Sequence, residues 1–97
     1  MTIEIDGTFG EGGGAILRVA CAYSMFHQIP FTITNIRGKR RKKGCKHQHV
    51  CVLNALKTMS NAYTDVDVSL GTQSLSFYPS PIQAGTYHFD IKTAGSI

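Results

Sequence analysis

The residues with the clearest chemical potential lie near the start of the chain, in Gly10-Glu11-Gly12-Gly13-Gly14, followed by Arg18. Glycines at a strand-to-helix junction let the backbone approach a ligand closely, and the helix start offers unpaired N–H groups to an anion. Arg18 falls about one helical turn further on, within bidentate reach of a phosphate. Glu11 complicates a plain phosphate cradle. A carboxylate beside a phosphate repels it unless a divalent cation lies between them, so Glu11 suggests an Mg²⁺- or Mn²⁺-bridged phosphate. A blander reading stands beside this one: Glu11 complements the helix dipole and the glycines form a turn. The spacing is neither that of a P-loop nor that of the dinucleotide fingerprint.

A second constellation is Asn35-Ile36-Arg37, then Arg40, then Gln48-His49. If Arg37 and Arg40 leave a strand end together, they come close to the first helix start. With Arg18 they would make a cluster suited to phosphate. His49 is ambiguous, because it also falls on the apolar stripe of its own helix, where a hydrogen-bonded core histidine is the common outcome. A third grouping, Cys45, His47, His49 and Cys51, offers four metal-ligand types. At a helix start Cys45 pairs with His49 and His47 with Cys51 on nearly opposite sides, which does not make one tetrahedral site.

Charge points the same way as the arginines. The chain has 97 residues and a formal net charge of +4, but seven of its ten basic residues are Arg37, Lys39, Arg40, Arg41, Lys42, Lys43 and Lys46. The rest of the chain carries three basic against six acidic residues, and none of the acidic ones lies between Glu11 and Asp65. This is a mildly acidic protein with one cationic segment, which favours a polyanion. A solvated basic loop is the alternative.

The elements that must place these groups follow from periodicity. Ile3 and Ile5 alternate with Thr2, Glu4 and Asp6, as in a half-buried strand. Five glycines in Gly7–Gly14 end it. Residues 15–27 read as a helix, Pro30 closes the gap, and 31–36 read as a strand. A second helix is expected over 48–61, where His49, Val52, Leu53, Leu56 and Met59 share a face. Three alternating strands are expected at 65–70, 74–78 and 86–91, with Gly71-Thr72-Gln73 linking the first two as a hairpin. Each strand has one polar face, so both helices should cover the same side of a mixed sheet in two layers. The fold class is therefore α/β, an α+β two-layer sandwich.

Composition bounds the rest. At 42% hydrophobic and 16% charged, the chain is an ordinary globular one and forms one domain over residues 1–97. No apolar run reaches the ~20 residues of a membrane helix. Three cysteines and no secretory signal favour a reducing compartment over a disulfide framework.

Taken as a set, these motifs resemble the N-terminal part of the RNA 3′-terminal phosphate cyclase family. The stretches that carry the resemblance are Ile5-Asp6-Gly7 with Gly10–Gly14 and Ile16-Leu17-Arg18, Asn35-Ile36-Arg37 with Arg40, and Gly44 with Gln48-His49. Leu70-Gly71-Thr72, Leu75, Phe77, Pro79, Phe89-Asp90 and Thr93–Ser96 continue it. The resemblance implies ATP-dependent conversion of an RNA 3′-phosphate to a 2′,3′-cyclic phosphate, through an adenylylated histidine. It implies a fold of repeated βαβαββ units, with Tyr87–Ile91 as the first strand of the next repeat. Glu11 resembles the metal-linked glutamate of the family. Glu11, Gly12, Gly13, Arg18 and Gln48 resemble its nucleotide contacts, and Arg37, Arg40, Arg41 and Lys43 its RNA-end contacts. Lys43 stands where the family has a proline before Gly44.

The cofactors so implied are ATP and Mg²⁺ or Mn²⁺, and the partner is an RNA 3′ end. The nucleophilic histidine is expected beyond Ile97, so the chain alone is expected not to cyclise RNA. It is also expected to self-associate or to lack C-terminal repeats. Its expected location is the cytoplasm, or the nucleus in a eukaryote. The alternative is a noncatalytic cyclase-like module that binds RNA during RNA or ribosome maturation.

Overall fold

The computed structural model describes residues 1–8, 15–38 and 41–85. The chain runs β1 (Ile3–Asp6), α1 (Ala15–His27), β2 (Phe31–Thr34), α2 (His47–Met59), β3 (Tyr63–Thr64) and β4 (Leu75–Tyr78). The strands form one mixed sheet in the order β1-β2-β4-β3. β1 and β2 run parallel, Ile3 opposite Phe31 and Ile5 opposite Ile33, while β4 lies antiparallel to both β2 and β3. This is the α/β arrangement that the alternating strands imply.

Alternation decides which face is covered. Phe31, Ile33, Leu75 and Phe77 are buried in one core with Leu17, Ala20 and Cys21 of α1 and Leu53 of α2. Phe31 and Phe77 are register partners whose rings stack at 5.5 Å. Each such buried side chain contributes roughly 1.5–3 kcal/mol relative to leaving it in water. The intervening residues form the other face. There Thr32 and Ser76 join hydroxyls at 2.7 Å, Tyr63 stacks on Tyr78 at 4.8 Å, and Glu4 and Asp6 are exposed.

The helix ends have local causes. α1 stops where Gln28 adopts φ 55°, and the Ile29 N–H then bonds back to the Ser24 carbonyl at 3.2 Å, as in a Schellman ending. The Ser24 hydroxyl donates to the Ile29 carbonyl, fixing the exit toward β2. α2 starts after Lys46, one residue earlier than its periodicity suggests, and ends at Met59. Its buried residues are His49 and Leu53, with Val50, Val52, Leu56 and Met59 half-buried.

The expected strand at 65–70 is a correction. The strand is Tyr63–Thr64, and residues 65–74 form a loop. Asp65 ends the ladder, because its side-chain Oδ1 accepts the Ser76 N–H at 2.8 Å, in place of a backbone carbonyl. The loop backbone then pairs elsewhere. Gly71 N–H donates to the Cys45 carbonyl, Cys45 N–H to Thr72, and Ile36 N–H to Gln73, all at 2.8–2.9 Å. Gly71 and Thr72 therefore brace the start of α2 rather than turn a hairpin. β2 likewise ends at Thr34, two residues early, because Asn35 and Arg37 take left-handed φ values of 53° and 51°. The strand expected at 86–91 lies outside the described residues.

Candidate phosphate site at the start of helix α2

Three segments supply the positive charge felt at the first turn of α2: α1 through Arg18, the chain leaving β2 through Arg37, and the residues leading into the helix through Lys46. His49 lies where their fields meet. Burial pushes its pKa down from 6.5 to about 4, and Arg37, Arg18 and Lys46 push it further in the same direction. The imidazole is therefore neutral at physiological pH. Its Nδ1 accepts the Lys46 backbone N–H at 2.9 Å, half of a capping box. The reciprocal half is missing, since a lysine side chain has no acceptor.

Arg37 is not a free surface cation. It is 9% exposed, and its Nη1 donates to the Gly44 carbonyl at 3.1 Å. Its left-handed φ is uncommon for a residue with a Cβ. Such strain persists only where the surroundings enforce it. Here they do: Gly38 N–H bonds to Asn35, and Gly44 N–H to Ile36, both at 2.8 Å. The two ends of the cationic loop are thus tied together, and Arg37 spans the tie from inside.

The other candidate residues divide into three groups. Arg18, Arg41 and Lys43 are exposed, and Gln48 is half-buried in the first turn of α2. Glu11, Gly12, Gly13 and Arg40 lie outside the described residues. Periodicity left His49 undecided between core and site, and it proves to be both buried and electrostatically joined to the arginines. In the sequence Lys46 stands out only as part of the basic block. Its backbone role at the helix start was not legible from its charge.

The donor set fits an anion. Arg18, Arg37, Lys46 and the free nitrogen of His49 are all donors, and a phosphate is an acceptor on every side. No group of three or more potential metal ligands is found among the described residues. Around the cysteine–histidine run, Cys45 and His49 are buried while His47 is exposed, so these side chains diverge. Cys21, Cys45 and Cys51 are all free thiols. Burial raises the Cys21 pKa to about 12, with a further push from Cys45, and raises the Cys45 pKa to about 11 against the opposing pull of Arg37. Neither is an activated nucleophile. No helix among the described residues is long and apolar enough to cross a membrane.

Comparison with known proteins gives one family. The family model described as RNA 3′-terminal phosphate cyclase matches residues 9–97. The RNA 3′-terminal phosphate cyclase of Ignicoccus hospitalis is 46% identical over 95 residues, covering 98% of this chain and 27% of that protein. That of Sulfolobus acidocaldarius is 48% identical over 95 residues, covering 97% of this chain and 28% of that protein. A bacterial relative of the same name, from Ralstonia nicotianae, is 46% identical over 94 residues, covering 97% and 27%. The chain spans little more than a quarter of the length of these relatives. With a match this long in sequence, over the whole of the described site from Arg18 to His49, the chain belongs to the RNA 3′-terminal phosphate cyclase family.

Proposed function

We propose that this chain is the part of an RNA 3′-phosphate cyclase that grips phosphate: the 3′-phosphate of an RNA and the phosphates of ATP. The observation that carries this reading is buried His49, whose Nε2 has no hydrogen-bond partner among the described residues, in the positive field of Arg18, Arg37 and Lys46. Family membership supplies the substrate class. Arg41, Lys42 and Lys43, exposed on the cationic loop, attract the RNA backbone. Arg37 braces the loop from inside through Gly44. In the whole reaction ATP would activate the 3′-phosphate for closure by the neighbouring hydroxyl. The role of this chain is to hold and orient the phosphate. A divalent cation would be held through Glu11. The nucleophilic histidine is supplied from outside these 97 residues, so the chain alone binds but does not cyclise. Three free thiols favour a reducing compartment such as the cytoplasm.

The test is anisotropy with two labelled oligoribonucleotides that differ only in a 3′-phosphate or 3′-hydroxyl. The phosphate-ended RNA should bind several-fold more tightly. Arg41→Ala with Lys43→Ala should reduce the slope of log affinity against log salt by about 1.4, near 0.7 for each lost phosphate contact. Equal binding of both RNAs would remove the end-recognition reading. The same equal binding with an unchanged salt dependence would also remove the noncatalytic RNA-binding alternative. Incubation with ATP should leave the chain's mass unchanged, and an AMP adduct would show that a nucleophile lies within it.

A further inference from the structure

His49 has a feature that helix capping does not explain. A neutral imidazole carries one proton, and the nitrogen that accepts a hydrogen bond does not hold it. Nδ1 accepts from the Lys46 backbone, so Nε2 carries the proton and is a donor. The residue is 1% exposed, and Nε2 has no hydrogen-bond partner among the described residues. A buried donor without an acceptor is costly and uncommon in native proteins. The charged groups acting on it are Arg37, Arg18 and Lys46, none of which has a side-chain acceptor to offer.

We infer that His49 Nε2–H is a ligand-binding donor of this site, giving one hydrogen bond to a phosphate oxygen drawn in by the surrounding cations. The inference rests on the phosphate-gripping reading and adds a residue and an atom to it. Long cationic side chains attract an anion from many directions. A neutral N–H pinned by a backbone bond at the opposite ring nitrogen donates to an oxygen in one direction only. His49 therefore fixes the orientation of the phosphate that the arginines recruit. The surrounding cations disfavour a second proton on the ring, so the donor and the cap coexist in one side chain.

The test is long-range ¹H–¹⁵N correlation of the histidine side chains of the full chain near neutral pH, with inorganic phosphate as probe. The free protein should show His49 as the Nε2–H tautomer. Phosphate should move the Nε2–H signal saturably, with little change at Nδ1. His49→Gln, whose amide nitrogen can take the place of Nε2, should keep phosphate affinity within about threefold, while His49→Phe should lose about tenfold or more.

A Nε2–H signal that stays fixed while amides near Arg18 and Lys46 respond would overturn the inference and leave the phosphate reading standing. Wild-type affinity in a folded His49→Phe protein would do the same. No response to phosphate anywhere would also overturn it, and the RNA comparison above would then decide the reading independently. Repeating the titration with a ribonucleoside 3′-monophosphate and with ATP separates the two sources of phosphate: the occupant is the one that shifts Nε2–H at the lower concentration.

Discussion

At the scale of single residues, the site is built from side chains with more than one duty. Arg37 contributes positive charge, spans the loop closure through Gly44, and takes a left-handed backbone. His49 caps α2 and holds, buried, a donor without a partner among the described residues. Its low pKa gives His49 a pH-dependent contribution to stability. In the unfolded chain His49 takes up a proton near pH 6.5, and in the folded chain only near pH 4. Between these values the unfolded state binds more protons, so the stability His49 contributes is complete above pH 6.5 and is lost as pH drops toward 4. Urea unfolding across this window should show that loss, and a folded His49→Gln protein should show less of it. Equal acid slopes for the two proteins would mean that His49 is not buried neutral. The burial of His49 was legible from its place on the helix stripe. The duties of Arg37 were not, because they depend on a carbonyl seven residues away and on a backbone angle that side-chain type does not encode.

At the scale of elements, β1, α1 and α2 follow closely from apolar spacing, because spacing reports which face is buried. β3 does not. Val66, Val68 and Leu70 alternate with polar residues, yet Val66 and Leu70 are exposed and the segment is a loop. Its N–H and carbonyl groups pair with Cys45, Ile36 and Ser76 through contacts that periodicity cannot see. The tightest of these contacts is the crossing of Gly44 and Gly71. Gly44 has φ 89°, and a Cβ there would run into the Gly71 backbone. Gly44→Ala should therefore cost about 1–3 kcal/mol in urea unfolding, since both the angle and the space oppose it. Gly71 has φ 86° but open space around it, so Gly71→Ala should cost less. Equal costs would show that the angle alone matters at both positions.

At the scale of the whole molecule, one side of α1 stands apart from the core. Val19, Tyr23 and Phe26 are exposed, Phe26 at 83%. Val19 and Tyr23 border an open apolar groove of about 360 Å³, together with Ile3, Ile5 and Ile16. Among the described residues, β1 is an edge strand of the sheet beside it. A bare edge next to an apolar surface favours association. The chain should therefore bind an apolar dye and sediment heavier as its concentration rises, and Val19→Lys with Phe26→Lys should diminish both. A monomer without dye binding at all concentrations would refute this. The groove follows from the same alternation that buries Phe31 and Ile33, since Ile3 and Ile5 have the core pattern but only half the cover.

The closure at Gly44 has a further consequence for how this protein can vary. The bond from Gly44 to Ile36 ties the two ends of the cationic loop together, and the bond from Cys45 to Thr72 fastens them to the 65–74 segment. Exposed Arg41, Lys42 and Lys43 hang from that clasp and contribute nothing to the core. Replacing Arg41, Lys42 and Lys43 should therefore change the surface charge while the fastening, and the fold behind it, stays the same.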